Sequence, residues 1–537
     1  MPAHLSPPAR PPPNGGKLAA VRRPPAPTTA LATLLLALAC ARPFPPSEVS
    51  ALRQDVAACP LPLTDAALDA LETYASCTLP ASVASLVRND YADDELELPD
   101  PDVLARHAGE IPRSAFEAQL ARFVDPAGAL AGTVSVDAAR GVLWPDPVLA
   151  PALAIPFAPE PEPEEAACAP GRCQGQLLPP PKPDRPYREA RRTELLAAAE
   201  PGRPLAGLRI AIDPGHAGGP YGALEERRVT ERGPDGRAVV LQEGDFTLRT
   251  ALELREKLAA DGAQVFLSRD RASLVHPYPL HAFRPYAERL LRRLDLDPAY
   301  QRLLPLLAPS ERLRLRAALA LLAVKKQNRF ESLRARARAA RAAQADLLLS
   351  VHYNGAPGPG GARAREEVLA MVRGAFDEGR LYNPFYRWQA LEAAFAIDTF
   401  DASAHLGRLC VRAMSERLGL PVAGEPRYAD HLPIRDLAGR PTGVDAWDGA
   451  LLRYLDFPAV LTEGPYLDHP DELAALEANQ KAPLMTPGTR SERYAEALHE
   501  CVLGFARAWL GSERNPFGPW RGPPRTEDPT SRPGGSG

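Results

Sequence analysis

Two histidines and a glutamate have the side-chain chemistry and the sequence setting to bind a catalytic metal ion. His216 and His352 each follow a short apolar segment of strand type, and Glu243 stands directly before a helical pattern. A catalytic zinc site uses three such nitrogen or oxygen ligands and keeps one position open for water. The three residues lie far apart along the chain, so a compact motif such as HExxH does not describe them. Taken singly, either histidine also suits a hydrogen-bonded core, and Glu243 suits a carboxylate at a helix N-terminus.

The surrounding pattern predicts elements that would bring these residues together. Short apolar runs predict strands at 208–212, 263–267, 347–351 and 459–462, and helical periodicity predicts helices at 246–260, 404–418 and 494–510. Strands that alternate with helices indicate a layered α/β domain, in which ligands gather where strands end. His216, His352 and Glu463 each stand at the C-terminal end of a predicted strand. We therefore expect a twisted mixed β-sheet with helices on both faces.

Two long segments interrupt this alternation and are predicted to be helical insertions. Residues 274–335 are rich in Arg and Leu, with helical spacing at 286–294 and 310–324. Residues 356–400 contain a predicted helix at 366–376 and an aromatic stretch at 382–388. We expect both insertions to flank or cover the site. Their arginines suit either a solvated helical face or a patch for an acidic partner.

Net charge and the distribution of prolines indicate the class of partner and the domain organisation of the chain. The 537 residues carry a formal net charge of −4, which does not favour nucleic acid as a partner. The 61 prolines crowd the first fifty residues, the segment 155–186 and the tail. We expect an export segment at 1–40, a small mainly helical region at 41–150 and a proline-rich linker at 151–204. A catalytic domain at 205–510 and a disordered tail at 511–537 complete the expected organisation.

The N-terminus is typical of an exported protein. Arg22 and Arg23 precede an uncharged apolar run, 29–39, which has the length of a signal-peptide core and is too short to span a bilayer. The run ends in LALAC at Cys40, which resembles a bacterial lipobox, and that resemblance implies a lipid anchor on Cys40. Simple cleavage after Ala39 or Ala41 is the alternative. Either route leads to export, and we expect a location in the periplasm or in association with the outer membrane, the latter as a lipoprotein.

Cysteine usage agrees with an oxidising compartment. If Cys40 is lipidated, six cysteines remain, which permits three disulfides in fifteen connectivities. Pairing nearest neighbours would join Cys59 to Cys77, Cys168 to Cys173 and Cys410 to Cys501. The cysteines form no CxxC pair that would indicate a thiolate zinc site.

Five local motifs, in order along 205–510, resemble those of the zinc-dependent N-acetylmuramoyl-L-alanine amidases, the amidase type 3 family. They are LRIAIDPGHAGG at 208–219, LQEGDFTL at 241–248, VFLSRD at 265–270, ADLLLSVHYN at 345–354 and PAVLTEGPYL at 458–467. The resemblance implies that His216, Glu243 and His352 bind Zn²⁺ and that Glu463 is the catalytic acid–base. It also implies hydrolysis of the amide bond between N-acetylmuramic acid and L-alanine in peptidoglycan. One departure is Ala217, which stands where the family has glycine.

The resemblance also implies a partner protein, and two alternative functions stay open. In some members of the family, helical insertions occlude the metal until a partner displaces them, which implies an activator protein acting on the insertions here. Asp213 or Asn354 would orient a metal ligand by a hydrogen bond. A zinc peptidase or deacetylase acting on another amide is one alternative function. A catalytically silent or regulatory envelope-binding protein is the other.

Overall fold

A computed structural model describes most of the chain from Arg209 onward and parts of the region before it. The described residues are 44–57, 83, 87, 107–109, 111–143, 153–160, 186–222, 224–225, 227–232, 236–355, 366–376, 381, 384–395, 397–424, 426, 431–436 and 439–510. The predicted export segment, the predicted lipidation site at Cys40 and the tail after 510 lie outside them. Cys59, Cys77, Cys168 and Cys173 also lie outside the described residues.

The described chain alternates strands and helices as the sequence predicts. The strands are β1 Val134–Val136, β2 Arg140–Leu143, β3 Leu153–Pro156, β4 Arg209–Pro214, β5 Arg228–Arg232, β6 Ala238–Gln242, β7 Gln264–Leu267, β8 Leu347–Asn354, β9 Leu369–Arg373, β10 Leu432–Arg435, β11 Pro441–Trp447 and β12 Ala459–Tyr466. The helices are α1 Pro46–Ala57, α2 Arg113–Gln119, α3 Pro186–Ala198, α4 Glu243–Ala260, α5 Arg284–Leu294, α6 Pro298–Leu303, α7 Pro309–Ala342, α8 Pro384–Phe395, α9 Ile397–Leu418, α10 Ala450–Arg453, α11 Pro470–Lys481 and α12 Arg490–Leu510.

A seven-stranded mixed sheet forms the centre of the molecule. Its order is β10-β11-β9-β12-β8-β4-β7. The pairs from β12 through β8 and β4 to β7 are parallel, whereas β12 pairs with β9 antiparallel. Because β4, β8 and β12 run in the same direction, their C-terminal ends meet at one edge of the sheet. The predicted fold class, a mixed α/β sheet, is confirmed.

Helices cover both faces of the sheet. Along β4, Ile210 and Ile212 join a core cluster with residues of α4, α9 and α12, while Ala211 points into a second cluster with α7 and α10. The same alternation recurs along β8, where Leu348 lies opposite to its neighbours. Strands buried on both faces explain the unbroken apolar runs of the sequence.

The two insertions differ in structure. The first is helical as predicted, but α7 continues past residue 335 to Ala342 and so reaches the sheet. In the second, the prediction of a helix at 366–376 is wrong, because Leu369–Arg373 is strand β9, buried on both faces of the sheet. A short apolar run has the same local pattern in a buried strand and in a buried helix. The aromatic stretch of that insertion leads into helix α8.

The N-terminal region contributes two further packing units. Helix α1 packs against the first insertion in a separate apolar cluster that contains Leu52 and Leu319. Strands β1 and β2 form a hairpin, and β3 adds a third antiparallel strand. This small sheet and α2 pack against the aromatic face of α8. None of the described helices is at once long and apolar enough to cross a bilayer.

A disulfide joins Cys410 of α9 to Cys501 of α12, one of the three pairings considered above. Both cysteines are buried where the two helices cross on one face of the sheet. A covalent link there fixes the pair of helices that covers this face.

Candidate metal centre

His216 lies in the turn that follows β4, at the C-terminal edge of the sheet. Its backbone has a φ of +55°, a left-handed conformation that is uncommon for a residue other than glycine. The ring Nε2 lies 3.3 Å from Oε2 of Glu243, and the ring Nδ1 lies 3.1 Å from Oε2 of Glu225. The two ring nitrogens of His216 therefore face two different carboxylates.

Glu243 is the first residue of α4, and its buried side chain points back toward the end of the sheet. Its Oε1 lies 2.9 Å from Nδ1 of His352 and accepts a hydrogen bond from the amide of Tyr353. The helix can start this close to the turn because residue 244 is glycine. A Cβ at Gly244 would lie 2.2 Å from the backbone nitrogen of Gly218.

His352 and Glu463 stand side by side at the ends of neighbouring strands. The register of β8 and β12 pairs His352 with Glu463 directly. The imidazole of His352 lies edge-on to that of His216, with ring centroids 4.9 Å apart. The ring passes over Gly215, where a Cβ would lie 2.4 Å from Cε1 of His352. Ligand atoms of His216, Glu243 and His352 lie within 4.8 Å of one another.

Electrostatics favour the metal-binding forms of His216 and Glu243, whereas the pKa of His352 is raised. Burial lowers the pKa of His216 to about 4, so its ring is neutral near pH 7. Burial raises the pKa of Glu243, but the charge of His216 and the hydrogen bond from His352 outweigh it and hold that pKa at about 2. Burial likewise lowers the pKa of His352, and the hydrogen bond to Glu243 and the charges of Glu243 and Glu463 reverse this to a net rise.

The protonation states leave two acceptor atoms facing each other. Glu225 is ionised, because contact with His216 outweighs burial and lowers its pKa to about 2. A neutral imidazole has a single N–H, and the shorter of the two carboxylate contacts, 3.1 Å from Nδ1 to Glu225 against 3.3 Å from Nε2 to Glu243, assigns it to Nδ1. The lone pair of Nε2 then points at the ionised Glu243. Two acceptors at 3.3 Å repel unless a cation lies between them, and this donor set suits one.

A cavity opens from these side chains between the sheet edge and the helices of the insertion. It is lined by Asp213, His216, Glu225, Arg227, Glu243, Arg329, Leu333, Arg336, His352, Trp447, Leu451 and Glu463, among others. Residues of α7 form one wall, and Trp447 with α10 forms another. Residues of the segment 274–335 therefore line this cavity.

Asp213 does not orient a metal ligand as the sequence suggested. Its carboxylate accepts hydrogen bonds from the hydroxyls of Ser268 and Ser350 and from the guanidinium of Arg336. Arg336 also donates to the carbonyl oxygens of Pro214 and His216. The pair therefore holds the turn that carries His216, and the hydrogen bond to the imidazole comes from Glu225. Sequence reasoning did not identify Glu225, because it lies in a loop without periodicity or a motif of its own.

Comparisons with known proteins agree with the local motifs. Residues 310–487 match the family model described as N-acetylmuramoyl-L-alanine amidase. This segment contains His352 and Glu463, whereas His216 and Glu243 precede it. A search of curated proteins found no matching sequence.

Solved structures of amidases share weak similarity with the chain. They include the CwlD amidase of Clostridioides difficile in complex with the GerS lipoprotein, at 14% identity and a TM-score of 0.31, covering 56% of this chain and 98% of that one. Ami1 of Mycobacterium smegmatis matches at 18% identity and a TM-score of 0.30, covering 56% and 98%. AmiC2 of Nostoc punctiforme matches at 14% and 0.29, with the same coverage. At these TM-scores the structures carry no argument of their own, and the family match concerns residues 310–487 alone. Residues 310–487 are therefore similar to the family of the N-acetylmuramoyl-L-alanine amidases.

Proposed function

We propose that this protein is a zinc-dependent amidase that cleaves the amide bond between N-acetylmuramic acid and L-alanine in peptidoglycan. The observation that carries the proposal is the convergence of His216, Glu243 and His352 at one sheet edge, beside Glu463. Two imidazoles and one carboxylate are a ligand set that zinc enzymes use, with one position left for water. The facing acceptors of His216 and Glu243 are an arrangement that a divalent cation stabilises.

The bound ion and Glu463 would have different roles in the hydrolysis of the amide. When bound, the ion supplies Lewis acidity, which polarises the amide carbonyl and acidifies water. Glu463 accepts the proton of the attacking water as the C–O bond forms, and then passes it to the amide nitrogen as the C–N bond breaks. The products are the lactyl carboxylate and a stem peptide with a new N-terminal alanine. Positioned acid–base groups of this kind contribute roughly 10²–10⁴-fold to rate.

The cavity walls suit a substrate that carries both a sugar and carboxylates. Arg227 and Arg329 bring positive charge to the cavity beside the metal ligands, and Trp447 offers an aromatic surface. Stem peptides of peptidoglycan contain free carboxylates, which guanidinium groups bind well. We propose that these arginines position the peptide and that Trp447 contacts the glycan.

The test is digestion of purified sacculi with the unchanged protein and with Glu463→Gln. We expect the variant to retain zinc, measured by metal analysis, and to lose roughly 10²–10⁴-fold in turnover, because the carbonyl oxygen of glutamine is a poor base. Glu256→Gln, a change of an exposed carboxylate on α4, is the matched control and should remain fully active. Normal turnover by Glu463→Gln would remove Glu463 from the mechanism.

Product analysis separates the amidase from the alternatives. An amidase releases intact stem peptides with an N-terminal alanine and leaves the glycan unsubstituted. A zinc peptidase would shorten the peptides, and a deacetylase would release acetate. A catalytically silent envelope-binding protein would bind sacculi without releasing any of these products.

We further propose the organisation and location that such a substrate requires. The catalytic domain would span 205–510, with the insertions 274–335 and 356–400, joined through a linker at 151–204 to the region 41–150. Export would place it at the cell wall, in the periplasm or at the outer membrane, with Cys40 as the site of a lipid anchor. Mass analysis of the mature N-terminal peptide distinguishes a lipidated Cys40 from simple cleavage after Ala39 or Ala41.

An activator protein that acts on the first insertion is the partner that the architecture supports. Helix α7 runs through the first insertion as far as residue 335 and continues to Ala342. It lines the cavity with Arg329, Leu333 and Arg336. Leu296 and Leu313 are exposed on the insertion, at 83% and 55%, and offer an apolar contact surface. Glutamate at either position should leave basal activity intact and abolish stimulation by the activator.

A further inference from the structure

Glu225 reaches from the loop that follows the first candidate ligand back onto that ligand. Its Oε2 lies 3.1 Å from Nδ1 of His216 and accepts a hydrogen bond of 2.9 Å from the amide of Ala217. The side chain of Glu225 is only 5% exposed. This buried carboxylate therefore contacts both the ring of His216 and the peptide group that follows it.

The backbone at His216 requires such support. Its left-handed conformation, with a φ of +55°, costs about 1–3 kcal/mol for a residue with a side chain. Arg336 donates a hydrogen bond to the carbonyl oxygen of His216, and Glu225 accepts one from the amide of Ala217. The peptide group that joins His216 to Ala217 is therefore hydrogen-bonded at both its carbonyl oxygen and its amide. Ala217, the departure from the family motif noted above, supplies that amide.

We infer that Glu225 is a positioning residue, whose carboxylate keeps the proton of His216 on Nδ1 and presents Nε2 to the metal. This inference rests on the proposed zinc site. In the other tautomer, Nε2 carries the proton and cannot bind the metal, and the lone pair of Nδ1 faces the buried carboxylate of Glu225. Hydrogen bonds from ligating imidazoles to carboxylates fix the ring orientation and raise the basicity of the ligand.

The loop that carries Glu225 is itself joined to the second candidate ligand. The amide of Glu243 donates to the carbonyl oxygen of Arg227, two residues beyond Glu225. At the other end of the loop, Asp245 of α4 accepts a hydrogen bond from the amide of Gly219. Asp245 therefore anchors the same loop without touching an imidazole, which makes it a matched control.

The experiment compares Glu225→Gln, Glu225→Ala and Asp245→Ala with the unchanged protein. Zinc affinity is measured by competition with a chelator, and folding is checked by thermal unfolding. We expect Glu225→Ala to bind zinc roughly 10–100-fold more weakly and Glu225→Gln to lie between, since glutamine keeps an acceptor but loses the charge. Asp245→Ala should bind zinc as the unchanged protein does. Equal losses in Asp245→Ala and Glu225→Ala would overturn the inference, because loop anchoring alone would then explain them.

A second measurement does not depend on zinc. Nitrogen NMR of the histidine side chains in the metal-free protein reports which ring nitrogen of His216 carries the proton. We expect the Nδ1–H form, which uses the shorter carboxylate contact, in the unchanged protein and in Asp245→Ala, and the Nε2–H form, which donates to Glu243, in Glu225→Ala. An unaltered His216 tautomer in Glu225→Ala would overturn the inference even if zinc binds. Failure of the unchanged protein to bind zinc would instead overturn the proposed function, and the tautomer would still decide the role of Glu225.

Discussion

At the scale of single residues, position in the fold separates acidic side chains that look alike in sequence. Asp213 and Glu225 both lie within ten residues of His216, and both are buried. Asp213 neutralises Arg336 and supports the turn, whereas Glu225 contacts the imidazole. The difference arises from the neighbouring strands and α7, which bring two serines and an arginine to Asp213.

The buried pair leads to a prediction about stability. Asp213→Asn leaves the guanidinium of Arg336, which is 2% exposed, without its counter-charge. Removing one partner of a buried pair costs about 3–5 kcal/mol, so the free energy of unfolding should fall by that amount. Urea denaturation measures it. The control is Glu288→Gln, which breaks the exposed pair with Arg284 and should cost less than ~1 kcal/mol. Equal losses in the free energy of unfolding for the two variants would show that burial of the ion pair does not determine its contribution.

At the scale of elements, a cluster of ionisable groups joins the start of β9 to helix α11. Glu366 precedes β9, and its Oε2 lies 3.5 Å from Nδ1 of His469, the residue that caps α11. Glu472 in the first turn of α11 accepts a hydrogen bond from Arg490 of α12. Burial and the nearby charge of Glu472 raise the pKa of Glu366 to about 8. This junction therefore contains a carboxyl group that is protonated in the folded protein near neutral pH.

The raised pKa predicts how stability depends on pH. Between about pH 4.5 and 8 the folded protein keeps a proton on Glu366 that the unfolded chain releases, so stability falls as pH rises through that window. Glu366→Gln removes the ionisable group and should flatten this decline. The measurement is the midpoint of thermal unfolding across the window, with Glu256→Gln as the control that keeps the slope. An unchanged slope in Glu366→Gln would show that another group governs the decline.

At the scale of the whole molecule, α7 connects two hydrophobic units. Its N-terminal half packs with α1 in the cluster around Leu319, and its C-terminal half packs on the sheet through Ala337 and Ala340. A helix of 34 residues spans about 50 Å, so one rigid element passes from the N-terminal region to the cavity wall. The N-terminal region thus supports an element that lines the site.

This division predicts a localised response to a core substitution. Leu52→Ala in α1 should destabilise its cluster by about 2–5 kcal/mol, because it leaves a cavity beside the first insertion. Hydrogen exchange should therefore accelerate in α1, α5 and the first half of α7. Amides of β8 and β12, which pack in the two clusters on the faces of the sheet, should exchange as before. Faster exchange in these two strands would show that the two units unfold together.

The sequence alone was sufficient for much of the fold and for the identity of the candidate residues. Apolar runs that end in His216, His352 and Glu463 predicted strands β4, β8 and β12, because strands buried on both faces leave a continuous apolar signal. The alternation of strands and helices predicted the mixed sheet. The metal-binding and catalytic roles of these residues stay predictions, which the zinc and turnover measurements test.

The tertiary structure alone decided which groups meet. Strand β9 was mistaken for a helix because a short buried run has no periodicity to distinguish the two, and only its pairing with β11 and β12 assigns it. The contact between Glu225 and His216 depends on a loop that α4 anchors through Asp245. Contacts of this kind arise from long-range packing, and the local pattern that specifies a strand or helix contains no information on them.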